Sequence, residues 1–161
     1  MKKKIFIASM AIILAFCLRV YAALNLPTDY DEPVYYTAAR YYADALRTGQ
    51  LHQIPEITIN YEHPSLAKIV YGAVLSMLPS DGPLSGDVWE FFSPQEPLLQ
   101  TGDPFRIFLL RLVSVFFGTL TVAVLALISP PAALALAVDS LAIKYTSVIY
   151  LEALPACLTM A

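Results

Sequence analysis

A few charged side chains lie beside or inside long apolar runs of this sequence, and these are the residues able to do chemistry. Asp31 and Glu32 follow the first run, in Asp29-Tyr30-Asp31-Glu32-Pro33. His63 and Lys68 open a shorter run in His63-Pro64-Ser65-Leu66-Ala67-Lys68, Arg106 and Arg111 open the next long one, and Glu152 follows the last. A carboxylate at such a place can take a proton from a reacting hydroxyl, and a guanidinium or ammonium can hold an anion such as phosphate. Structural readings stay open beside these. Asp31 or Glu32 can cap a helix whose first turn suits Pro33, and a histidine or lysine at a membrane interface can serve as an anchor.

The elements that must position these residues are read from the apolar runs. The chain has 161 residues, of which 58% are hydrophobic and 14% charged, against roughly a quarter charged in a soluble domain. Ile5 to Leu24, Ile107 to Ile128 and Ala132 to Leu151 each have about the length that crosses ~30 Å of hydrocarbon. The expected fold is therefore an all-α polytopic membrane protein with about three transmembrane helices. The first run contains Arg19, the second Arg111, and the third Asp139 and Lys144. A cleaved leader also fits Lys2-Lys3-Lys4 and Val20-Tyr21-Ala22, although Arg19 interrupts the core that a leader wants. Cys17 and Cys157 lie in apolar stretches and read as packing residues, without a disulfide framework.

Between the first two runs, residues 25–105 form a large loop. Asn25 to Pro104 holds eleven of the thirteen acids, nine of the twelve prolines and seven of the ten tyrosines, against three bases. The N-terminal lysines favour a cytoplasmic N-terminus in a plasma membrane, which sends this acidic loop to the outer face. Two interfacial helices are expected within it. One covers about 33–48, with Val34, Ala38, Tyr42 and Leu46 on one face and Gly49 at its end. The other covers about 64–78. Its apolar run, Leu66 to Leu78, spans about 20 Å as a helix and is too short to cross. Arg106 and Arg111 then fall at the outer end of the second span, where the positive-inside rule gives no reason for them, and a phosphate at the membrane surface is one explanation. A net charge of −3 without a basic patch argues against nucleic acid.

Taken in order, several motifs resemble the N-terminal part of the GT-C glycosyltransferases, in particular protein O-mannosyltransferases and the transferases that move aminoarabinose to lipid A. The stretches are Asp31-Glu32-Pro33-Val34-Tyr35, His63-Pro64-Ser65-Leu66-Ala67-Lys68, the run from Arg111-Leu112-Val113-Ser114 through Gly118-Thr119-Leu120-Thr121-Val122, and Tyr150-Leu151-Glu152-Ala153. Two departures stand out. Ser65 replaces the usual second proline of the histidine motif, and no basic residue stands just before Glu152.

The resemblance implies transfer of mannose or a related hexose or pentose from a polyprenyl- or dolichyl-phosphate donor to a hydroxyl of a protein, lipid or glycan acceptor, with inversion, on the outer face. It implies Asp31 as general base, Glu152 as the second acid, Arg111 and Lys68 with Arg106 as phosphate ligands, and Glu32 and His63 as residues that shape the site. A divalent metal is compatible with such chemistry, but the sequence shows acids without a ligand-spaced cluster. Family members are longer, and Ala153 to Ala161 reads as the start of a fourth span, so a truncated and inactive module is expected. The rival from another class is a small non-enzymatic membrane protein whose acidic outer loop binds a partner or an ion.

Overall fold

The structure, a computed structural model, describes residues 2–57, 59, 65–80, 82 and 104–160. The described residues are helical, with no β-strand among them. The helices are α1 (Lys2–Asn25), α2 (Glu32–Arg47), a 3₁₀ helix (Leu51–Glu56), α3 (Ser65–Ser76), α4 (Pro104–Ile128), α5 (Pro130–Val138), α6 (Ser140–Tyr145) and α7 (Ala153–Met160). Two of them, α1 and α4, are long and apolar enough to cross a membrane. The chain forms two compact units, Met1–Leu26 with Arg111–Ala161, and Pro27–Leu110. The division passes through α4.

The first unit buries small residues and exposes large ones. Ala11 and Ala15 of α1, Val122 and Ala126 of α4, and Ala133 and Ala137 of α5 make one core. Phe6, Ile13, Phe116 and Leu127 are exposed, Leu127 at 87%. Small residues let helix backbones approach closely where lipid takes the place of water and supplies no hydrophobic drive between helices. Gly118 is the tightest point. A Cβ there would lie 2.5 Å from the Cβ of Thr146 and 3.0 Å from Nε of Arg19. Of the two cysteines, Cys157 is buried, but Cys17 is exposed on α1 rather than packed inside.

The third apolar run departs from expectation. Ala132 to Leu151 is not one helix. It is broken after Val138, α6 starts afresh at Ser140, and residues 146–152 turn towards α7. Asp139 is the physical cause: its backbone is extended, and its carboxylate accepts the Ala142 N–H at 2.7 Å as the cap of α6. A short acid that bonds to nearby backbone competes with the helix it interrupts. Arg19 answers the break from α1, donating from Nε to Oγ1 of Thr146 at 2.8 Å and from Nη1 to the Ala137 carbonyl at 3.4 Å. Buried backbone groups freed by a break need such partners at membrane depth.

The second unit is built on α2 and α3. The end of α2 is set by Gly49, whose φ of 71° suits a residue without a Cβ. The Gln50 N–H bonds to the Ala45 carbonyl and the Gly49 N–H to the Leu46 carbonyl, which satisfies carbonyls of the last turn. Of the expected face, Ala38 and Tyr42 are buried while Val34 and Leu46 are only half-buried. The contact with α3 takes in Tyr42 and extends to Ala39 and Ala43 beside it. A Cβ on Gly72 would lie 2.5 Å from that of Tyr42 and 3.1 Å from the Ala39 carbonyl oxygen, so α3 packs where small residues permit it. Arg47 donates to the carbonyls of Leu75 and Leu78, so the two helices run in the same direction. The 12 residues of α3 span about 18 Å, short of a crossing, as expected.

Candidate functional site

Asp31, Glu32, Lys68 and Arg106 belong to the second unit, and Arg111 and Glu152 to the first. His63 lies outside the described residues.

Asp31 is the N-cap residue of α2, with Pro33 in the first turn. Its backbone carbonyl accepts the N–H groups of Val34 and Tyr35, but its side chain makes no cap bond. The half-buried carboxylate accepts no hydrogen bond among the described residues. Glu32, its neighbour, does the opposite. It is fully buried, and Oε2 accepts the Asp29 N–H at 2.9 Å. A buried carboxylate must be held by hydrogen bonds or charge, and this one closes the turn that leads into α2. Two adjacent acids have therefore divided their work: Glu32 builds the turn, and Asp31 stands at the helix mouth with its acceptor oxygens available to a proton donor.

Lys68 is 1% exposed. It lies one turn before Gly72 on the face of α3 that carries Tyr71 and Leu75, so it points to the N-terminal half of α2. Arg40 is buried on α2 as well, in line with Glu32 and Tyr36 at spacings of four. This charged stripe was not singled out from the sequence. Its signal was there: three polar-ended side chains at i, i+4 and i+8 share one helix face.

Arg106 sits in the first turn of α4. Its Nη2 donates to the Pro79 carbonyl at 2.7 Å, and the side chain is half-buried. It is the most accessible of the three proposed phosphate ligands, although it precedes the matched motif.

In the first unit, Arg111 is fully buried. Its Nη1 donates to the carbonyls of Ala23 at 2.8 Å and Leu26 at 2.9 Å, groups that a helix end leaves without internal partners. It is a strut that holds the end of α1. Glu152 is exposed and precedes α7, accepting the Ala156 N–H at its carbonyl. Buried Arg19, noted at first only as a charge in a span, ties α1 to the break between α5 and α6. Among the described residues no group of three or more histidine, cysteine or acidic side chains is placed to hold a metal ion.

No protein-family model matches the chain, and neither a curated protein nor a solved structure does.

Proposed function

We propose that this chain is a membrane-embedded glycosyltransferase module of the GT-C kind, acting on a lipid-phosphate-linked sugar at the outer face of the membrane. One observation carries the reading: of two neighbouring acids at the mouth of α2, Glu32 is consumed by the fold and Asp31 is left with its carboxylate uncommitted. The ordered motif resemblance supplies the reaction class.

On this reading, the acceptor hydroxyl oxygen attacks the anomeric carbon as Asp31 takes its proton. The bond from that carbon to the phosphate oxygen breaks, and its electron pair leaves on the lipid phosphate. Such a leaving group needs cationic hydrogen-bond donors more than an acid. The motif resemblance gives this role to Lys68 and Arg106 of the second unit, with Arg106 the one that solvent reaches, and to Arg111 of the first, whose Nη1 already serves the end of α1. Glu152 orients the acceptor, and Glu32 and His63 shape the site. The chain crosses with α1 and α4, and α5 and α6 in series make a third, broken crossing with Arg19 and Asp139 at the break.

The test is transfer from a polyprenyl-phosphate mannose donor by membranes from cells that produce a full-length protein carrying these motifs, since the 161-residue chain alone is expected to be inactive. Asp31→Asn should lower the rate by roughly 10²–10⁴-fold, the usual contribution of a general base, while helicity stays unchanged. Equal rates for Asp31→Asn and the parent would remove Asp31 as the base.

A further inference from the structure

The second unit contains a pocket that the proposed chemistry does not use. It has a volume of about 260 Å³ and is lined by Tyr41, Gln53, Glu56, Ile57 and Ile59. Its construction follows from the end of α2. The left-handed Gly49 turns the chain, the Gln53 N–H bonds to the Gln50 carbonyl, and the 3₁₀ helix brings Gln53 and Glu56 to Tyr41 on α2. The position is ten residues along from Asp31, about 15 Å at 1.5 Å per residue. It is a separate place on the same helix.

The side chains of Gln53 and Glu56 and the Tyr41 hydroxyl make no hydrogen bond to other described residues, so three polar groups with different capacities meet at one concavity. An aromatic ring, an amide that both donates and accepts, a carboxylate that accepts, and two isoleucines form a mixed wall. A pyranose ring has that combination in reverse: an apolar face of C–H groups and a rim of hydroxyls that each donate and accept. A quaternary ammonium would use Tyr41 and Glu56 but would leave the Gln53 amide and the isoleucines without a role. Ligand pockets usually run to roughly 300–1,000 Å³, so the size suits a single ring.

We propose that this pocket is a sugar-binding site that accepts one neutral pyranose, as a free glycoside or as a residue of a longer glycan. The assignment stands on the pocket's own chemistry and goes beyond the role given to Asp31. An open pocket with a few hydrogen bonds and one stacking contact implies a Kd of about 1 mM.

The test is saturation-transfer NMR on the full chain in a polyoxyethylene detergent, which has no sugar or ammonium headgroup to compete. The probes are methyl α-D-mannopyranoside, methyl α-D-glucopyranoside and tetramethylammonium, each up to about 20 mM, well above the expected Kd. At least one glycoside should show transfer. Tyr41→Ala should weaken its binding about tenfold and Glu56→Gln about fivefold, while Tyr41→Phe, which keeps the ring, should stay within about twofold. Circular dichroism checks folding, and Glu56→Gln with Tyr41→Phe carries the test if Tyr41→Ala loses helix. No transfer from either glycoside, transfer from tetramethylammonium alone, or glycoside binding indifferent to both Tyr41→Ala and Glu56→Gln overturns the proposal. Glycoside binding that survives while Asp31→Asn leaves transfer intact sinks the catalytic reading and keeps the pocket. The reverse pattern keeps Asp31 and sinks the pocket.

Discussion

The two units of this chain solve the burial problem in opposite ways. In the first, alanines fill the core while Phe6, Ile13, Phe116 and Leu127 face outward. In the second, Tyr35, Tyr36, Tyr42, Tyr71 and Leu75 are buried with Glu32, Arg40 and Lys68 among them. Apolar bulk turned outward fits a surface that lipid covers; aromatic bulk turned inward fits a unit that water or headgroups surround. One chain thus carries two packing rules, and the buried charges differ accordingly. Arg19 and Arg111 serve backbone carbonyls at helix ends and breaks, whereas Glu32 closes a turn at the start of a helix.

The largest effect expected on function is the Asp31→Asn loss of transfer given above. Its counterpart in the same turn sharpens the contrast: Glu32→Gln should act on folding, because a buried carboxylate that accepts a backbone N–H is replaced by an amide with donors of its own. A cost of about 1–3 kcal/mol, read from thermal or detergent-induced unfolding, is expected. If Glu32→Gln left stability untouched, the structural half of the division would be lost.

Next come the buried arginines of the first unit. Arg111→Ala removes donors to Ala23 and Leu26 and should cost about 3 kcal/mol, near the penalty for breaking a buried charged contact. Arg111→Lys should recover part of it. A neutral outcome for Arg111→Ala would mean that the end of α1 is satisfied by water and that the strut is unnecessary.

Two positions of equal exposure then test the contrast directly. Phe116 on α4 is 58% exposed and Leu51 of the 3₁₀ helix 56%. If lipid covers the first and water the second, Phe116→Arg should impair membrane insertion by roughly 2.5–3.5 kcal/mol, measured by carbonate extraction. Leu51→Arg should change stability by no more than about 0.5 kcal/mol. Equal tolerance at both positions would erase the difference between the two surfaces.

The glycines test the close packing within each unit. Gly72→Ala and Gly118→Ala each place a Cβ 2.5 Å from a neighbouring side chain and should cost about 1–3 kcal/mol of overpacking. Gly49→Ala meets no neighbour within 4 Å, but its φ of 71° strains any residue with a Cβ, at a cost of about 1 kcal/mol.

Much of this molecule was legible in advance because it is local. The limits of α1, α2 and α3 follow from apolar length, Pro33 and Gly49, and those signals act within a turn or two. The third run misleads because Asp139 reads as a charge inside a span, whereas its short side chain starts a new helix. The candidate site was legible as residue types at helix mouths. The division between Asp31 and Glu32 was not, since adjacent acids offer the same capping chemistry and only the path of the preceding turn decides which one is used.

The sequence by itself determined that α1 and α4 are helical and long and apolar enough to cross a membrane, and where the acids gather, because periodicity, hydropathy and turn residues are properties of neighbours along the chain. Tertiary structure decided which charges are consumed. Arg111 reaches carbonyls 85 and 88 residues away, and Arg19 a threonine 127 residues away. Whether a charged side chain is strut or ligand depends on what the fold places within hydrogen-bond distance, and that is set by packing between helices.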